Sequence, residues 1–516
     1  MTQLASAQAP AETSSEMPVT RLLDERWLLV ETTHFTILSQ QSSRQTLRFA
    51  QDLENWRQVA AYIIQDTVST TQLPQAPVPN LVYLIDNKED FNLLTITQDP
   101  AFFAPTPRAN FMALAASEEH AMEIALHHYV HFLVRNFLDL RLPRWYEEGL
   151  AGYVSRITMD GTQPRFERFT TKANELMVQI SEVISLERLI YRDEALASPR
   201  LIQIANLKSA ALLHYLKHGW EEEQFNDRRP QLARYLELLL EGRNQRFAYD
   251  QSFDVTTETL DTLFHTYLLN SARPRGQIES GPLQPLPEYT SVRQQGPSLA
   301  VQLAELALNA GQMANAEILF RAALAADPSV ARAHSGLGDA IRFQELPVSD
   351  QTVAQHFEDA LATAPEEPDI LLDILLDYGE YWEYELEDCD KTYPATQRQQ
   401  ILANIETRFR QALAIAPDNA EVNLAMGEIY LFPERNWQEG VAYQRRAFEL
   451  LPADTFIMEQ ATRYAIESDN YEQAELLITE LAQPLHFWLE PEWVTDLRER
   501  LLRKRRNEPY DECSED

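Results

Sequence analysis

His127 and His131 lie in the segment Leu126–Tyr153 (LHHYVHFLVRNFLDLRLPRWYEEGLAGY), within a stretch, Glu118–Asn136, that reads as a helix. Residues four apart project from one helix face, so both imidazoles can ligate a single zinc ion. Seventeen residues after His131 stands Glu148, inside Trp145-Tyr146-Glu147-Glu148-Gly149-Leu150-Ala151. The two cysteines, Cys389 and Cys513, cannot build a disulfide framework or a CxxC zinc site, so a metal site must use His, Asp or Glu. A second pair at the same spacing, His214 and His218, has no such motif after it and reads as structural or surface.

These residues resemble the gluzincin zinc metallopeptidases, specifically the peptidase-MA-like group found beside tetratricopeptide repeats. That pattern is H-E-x-x-H on one helix, then Pro-x-Trp-x-x-Glu-Gly-Leu-Ala on the next. Here it reads His127-His128-Tyr129-Val130-His131, then Pro143-Arg144-Trp145-Tyr146-Glu147-Glu148-Gly149-Leu150-Ala151. The resemblance spans about Trp27 to Leu269 and implies an α+β domain, a small sheet plus helices. It implies His127, His131 and Glu148 as metal ligands, zinc as cofactor, and Asn110–Ala115 as an edge strand beside a peptide substrate. Glu147 reads as a supporting or surface carboxylate, and Trp145 and Tyr153 as core.

One departure bears on activity. The general-base Glu of the pattern is replaced by His128. In this chemistry the Glu takes a proton from metal-bound water and passes it to the leaving amine. Such groups contribute about 10²–10⁴-fold, so the substitution is expected to cripple hydrolysis. A second departure is Asn206, three residues before Ser209, where the family often has a Tyr near the site. Together they point to a pseudoenzyme. The alternative reading is a zinc-dependent metallopeptidase with His128 as an unusual base.

The elements that must position these groups follow from pattern. Trp27–Ser39 reads as a strand pair or long strand, Ser43–Thr67 as a helix, and Leu81–Ile85 and Asn110–Ala115 as strands. Region 155–270 is mostly helical, with Leu186–Ile190, Ala205–His218 and Pro230–Glu241 periodic. Residues 271–297 hold five prolines and three glycines and read as a linker.

An internal repeat follows over 298–506. Leu319–Pro328, His356–Pro365, Arg408–Pro417 and Tyr443–Pro452 align on the final proline, with spacings of 37, 52 and 35. Each has Ala five residues earlier (Ala323, Ala360, Ala412, Ala447), and three have Phe eight earlier (Phe320, Phe357, Phe409). Gly338 and Gly427 fall at matching places in the preceding helices. This resembles the tetratricopeptide repeat, an all-α solenoid of paired helices. Small residues let the helices approach, Phe fills the seam, and Pro stops the second helix. Repeat three carries an insertion around Tyr381–Pro394. A degenerate fifth unit holds Tyr464, Tyr471 and Ala474, and a last helix near Glu492–Lys504 caps the stack. The basic stretch Arg498–Arg506 pairs internally or docks a partner.

Lys plus Arg is 44 and Asp plus Glu 79, a net charge of −35. That disfavours nucleic acid and favours a protein or peptide partner with a basic patch, held in the repeat groove. No apolar run is long enough to span a bilayer. Residues 1–25 read as a disordered tail or signal remnant, with Ala7-Gln8-Ala9 resembling a cleavage end, and 507–516 as an acidic tail. The sequence leaves the compartment open: a soluble protein, cytoplasmic, or periplasmic if a signal precedes this start. The whole reads as a protein-binding scaffold: an inactive peptidase-like domain over 26–270, then the repeat array.

Overall fold

A computed structural model describes residues 19–68, 78–137, 142–166, 184–191, 199–269, 278, 283–344, 350–364, 367–482, 491–510 and 513. The N-terminal part contains β1 (Trp27–Glu31), β2 (Thr36–Ser39), α1 (Ser43–Val68), β3 (Asn80–Ile85), α2 (Lys88–Leu94), β4 (Ala101–Pro105), β5 (Asn110–Ala115), α3 (Ala121–Phe137) and α4 (Arg144–Val154). A small hairpin, β6 (Ile157–Asp160) and β7 (Gln163–Phe166), precedes α5 (Leu186–Ile190), α6 (Pro199–His218), α7 (Arg229–Leu240), α8 (Gln245–Ser252) and α9 (Thr257–Leu269). Strand β8 (Val292–Gln294) closes this part.

The main sheet has six strands in the order β4-β5-β3-β2-β1-β8. The β2–β3 and β3–β5 pairs are parallel and the rest antiparallel. Val30, Ile37, Val82, Leu84, Met112 and Leu114 share one core with α1 and α3. Trp27, Leu38, Tyr83, Ile85, Phe111 and Ala113 share another with Leu299, Leu303, Leu306 and Phe320, which belong to the helical array. Every residue of β5 is buried, because both faces of the sheet are covered. Its unbroken sequence NFMALA follows from that.

The array is built from α10 (Gly296–Asn309), α11 (Met313–Ala326), α12 (Ala331–Arg342), α13 (Asp350–Thr363), α14 (Pro368–Glu387), α15 (Ala395–Ile415), α16 (Ala420–Ile429), α17 (Trp437–Leu450), α18 (Thr455–Glu467) and α19 (Tyr471–Leu481), ending in α20 (Glu492–Arg505). Helices pack in successive pairs, and the first helix of each pair touches the first helix of the next. Ala323, Ala360, Ala412 and Ala447 are fully buried, as are Phe320, Phe357 and Phe409. The rings lie where a neighbouring glycine has no side chain. A Cβ on Gly336 would enter the Phe320 ring, one on Gly379 the Phe409 ring, and one on Gly338 would come within 2.9 Å of Phe357.

Several expectations change. Part of the tail expected over 1–25 is instead a short helical turn, Val19–Asp24. Val19 and Leu22 are buried, and the Trp27 indole donates to the Leu22 carbonyl at 2.8 Å. Residues 1–18 lie outside the described residues, so the cleavage-end reading does too. The 271–297 segment is more than a linker. Gln284 exchanges hydrogen bonds with Gln58 of α1 at 2.7 and 3.2 Å, and Val292–Gln294 pairs with β1 as a sheet edge. Strand β5 is not the edge expected for it, because β4 pairs along its outer side and takes that place. The insertion in repeat three lengthens α14 and α15 rather than forming a free loop. The two cysteines form one disulfide across 124 residues, tying position 513 of the acidic tail to the turn after α14.

The array also closes back on the sheet domain. Arg108, in the β4–β5 turn, donates to Glu421 at 2.7–3.0 Å and to Asp377 at 2.8 Å. Arg332 of α12 meets Asp377 and Glu305 in the same cluster. Asp377, Arg332, Glu305 and Glu421 all stand on first helices, so Arg108 ties the β4–β5 turn to that side of the array. The basic stretch at the C-terminus pairs internally. Arg500 and Lys504 reach Glu467 at 3.3 and 2.8 Å, and Arg505 reaches Glu475 at 2.7 Å. No helix among the described residues is long and apolar enough to cross a membrane.

Candidate metal centre

Helix α3 buries Ala125, Leu126, Tyr129, Val130 and Leu133 in the core and turns His127 and His131 toward α4. Helix α4 is fixed by its close approach to α6. A Cβ on Gly149 would stand 2.9 Å from the Ser209 carbonyl oxygen, and one on Gly152 would stand 2.8 Å from the Ala210 Cβ. That contact sets the depth of the neighbouring Glu148, whose side chain is 1% exposed.

The three side chains converge. His127 Nε2 and His131 Nε2 are 3.2 Å apart, and Glu148 Oε2 lies 3.3 Å from the first and 3.7 Å from the second. Ligands at about 2.0–2.1 Å from a tetrahedral zinc ion are separated by about 3.3–3.4 Å. The triangle therefore has the size of one face of such a coordination sphere. His131 is nearly buried, whereas the His127 side chain is 18% exposed, which leaves an approach from that side.

Glu147 supports this face. It accepts from His131 Nδ1 at 3.1 Å and from Arg135 Nε and Nη2 at 2.6 and 3.2 Å. Burial raises its carboxyl pKa, but Arg135 and His131 outweigh that and hold it at about 2. With Nδ1–H committed to an ionised carboxylate, His131 presents Nε2 toward Glu148. Burial lowers the His131 pKa, yet hydrogen bonds and charge from Glu147 and Glu148 carry it up to about 9. His127 is lowered, chiefly by burial.

His128 points elsewhere. Its ring stacks on Phe103 of the edge strand β4, with centroids 6.3 Å apart and planes 5° apart. Burial, then the neighbouring His127 and His131, push its pKa down to about 3. A neutral imidazole of that pKa is a weak proton acceptor near pH 7. Asn206 sits partly buried on α6, one turn before Ser209. The second pair is structural, as its isolation suggested: His214 Nδ1 meets the Tyr267 hydroxyl at 2.8 Å, and His218 bonds Tyr153 and Glu221 at 2.7 and 2.9 Å.

The sequence reading missed Arg135 and Phe103. Arg135 was within reach, being one turn beyond His131 on the same helix. Phe103 had no signal, because its partner is set by strand order.

Fold and site together describe a mixed-sheet domain with a His-His-Glu cluster, built into a helical-repeat array. No protein-family model matches the chain, and no curated protein matches it. Similar solved structures include a tetratricopeptide-repeat protein of Thermus thermophilus, at 14% identity over 41% of this chain and 99% of that one (TM-score 0.31). PilF of Pseudomonas aeruginosa is 18% identical over 41% and 85% (TM-score 0.30). YrrB, a tetratricopeptide-repeat protein with an unusual peptide-binding site, is 15% identical over 40% and 90% (TM-score 0.26). At these scores the likeness carries nothing further, and the repeat architecture stands on the helix pairs and their Ala, Gly and Phe seams.

Proposed function

We propose that the chain is a protein-binding scaffold in which a zinc-holding, peptidase-like domain without its hydrolytic base is locked to a tetratricopeptide-type array. The observation that carries this is the convergence of His127, His131 and Glu148 beside a His128 that is neutral and stacked on Phe103. When bound there, zinc would supply a Lewis acid and a water of lowered pKa. The chain's own contribution is to hold that face rigid: Glu147 and Arg135 orient His131, and the Gly149 contact seats Glu148. His128 accepts a proton too weakly to complete hydrolysis.

Binding falls to the array, since stacked helix pairs expose extended surface. A basic partner suits the net charge of −35. It reaches Glu421 and Asp377 only by displacing Arg108.

Metal analysis with a peptide-hydrolysis assay on wild type, His131→Ala and His128→Glu tests the reading. Wild type should hold zinc and cleave nothing, His131→Ala should lose the zinc held by this cluster, and His128→Glu should gain hydrolysis. Zinc-dependent cleavage by wild type that His131→Ala abolishes would establish the rival metallopeptidase with His128 as base. Zinc content near zero after gentle purification would refute the metal.

A further inference from the structure

We propose a second transition-metal site on the array, formed by His334 of α12 with His356 and Asp359 of α13. One ligand atom from each lies within 4.8 Å of the others, and all three residues are half-buried. His356 and Asp359 are three apart on one helix and share a face. The ring of His334 lies 6.4 Å from that of His356 across the pair.

The hydrogen bonds favour ligation. His334 Nε2 lies 3.0 Å from the Pro328 carbonyl oxygen, which can only accept, so the ring proton sits on Nε2 and Nδ1 carries a lone pair. The Nδ1 atoms of both His334 and His356 are buried and have no hydrogen-bond partner among the described residues. Arg321, whose charge acts on His356, is held by Glu317 at 2.7–2.9 Å. Two imidazoles and a carboxylate suit zinc, nickel or copper rather than magnesium or calcium. Bound metal would bridge the two helices of this repeat, far in sequence from His127 and His131 and independent of them.

The test is zinc stoichiometry on the full chain, stripped with chelator and reloaded against a competing chromophoric chelator. Arms are wild type, His131→Ala, His356→Ala, the size-conserving His356→Gln, and the His131→Ala/His356→Ala double variant. Two equivalents in wild type, one in each single variant and none in the double would support both sites. One equivalent in His131→Ala that the double variant loses supports this site whatever becomes of the first. An unchanged stoichiometry on replacing His356, by Ala or by Gln, would overturn it. So would a His131→Ala protein that binds nothing while its melting temperature matches wild type.

Discussion

Replacing Arg108 with methionine should detach the β4–β5 turn from the array. In the folded chain this side chain makes three contacts with Glu421, at 2.7–3.0 Å, and one with Asp377 at 2.8 Å. Asp377 would keep Arg332, but Glu421, 7% exposed, would lose this guanidinium. Removing one partner of a buried pair costs about 3–5 kcal/mol. Glu421 lies in the first turn of α16, where the helix dipole returns about 0.3–1 kcal/mol, so the net cost should be about 3 kcal/mol. A chain of this size does not unfold in one step, so the quantity to measure is local opening of β4, β5 and α16 by hydrogen exchange. Arg108→Met should raise that opening by about 100-fold. Glu421→Gln in the same chain should recover most of the loss, because the stranded charge is gone. Opening unchanged in Arg108→Met, or a Glu421→Gln cost that simply adds, would refute the clamp.

The same cluster makes the contact pH-sensitive. Burial outweighs the neighbouring arginines and pushes Asp373 up to about 6, Asp339 up to about 7, and Glu380, also facing Glu421, up to about 8. The folded state thus holds protons that the unfolded state releases. This contribution is fully present below about pH 4 and is lost as pH rises through 6 to 8. Exchange corrected for its intrinsic pH dependence should therefore speed up at the β4–β5 turn from pH 6 to 8, and slowing would contradict it.

Three further outcomes can be checked together. Gly379→Ala should destabilise the third helix pair by about 1–3 kcal/mol through overpacking against Phe409, with Phe409→Leu partly restoring the urea midpoint. Reducing the Cys389–Cys513 bridge, or Cys513→Ser, should lower the melting temperature equally. The chain-entropy ceiling for a loop of this size is roughly 5 kcal/mol, and reductant should leave Cys513→Ser unchanged. Glu147→Gln should weaken zinc affinity about 10–100-fold while His127, His131 and Glu148 remain, measured by chelator competition.

The sequence made legible whatever local chemistry dictates. Strand β3 showed as a short apolar run, Leu81–Ile85, because helices cover both faces of its sheet. The repeat showed because close helix packing demands Ala and Gly at fixed offsets from Phe. The His127–His131 face followed from helix geometry, and Arg135 could have followed by the same step. What stayed hidden depends on contacts between distant segments. Arg108 meets acids 269 and 313 residues away, and Cys389 meets Cys513 across 124 residues. The edge role passed from β5 to β4 because strand order is a property of the sheet, not of either strand. The 271–297 segment looked like a linker by composition, yet Val292–Gln294 had a strand edge available to it.

The most direct measurement is anomalous X-ray scattering at the zinc edge from crystals of the full chain. A peak at about 2.0–2.2 Å from His127 Nε2, His131 Nε2 and a Glu148 carboxylate oxygen is the predicted result. Well-ordered side chains at 127, 131 and 148 in zinc-supplemented crystals, with no anomalous peak between them, would contradict it.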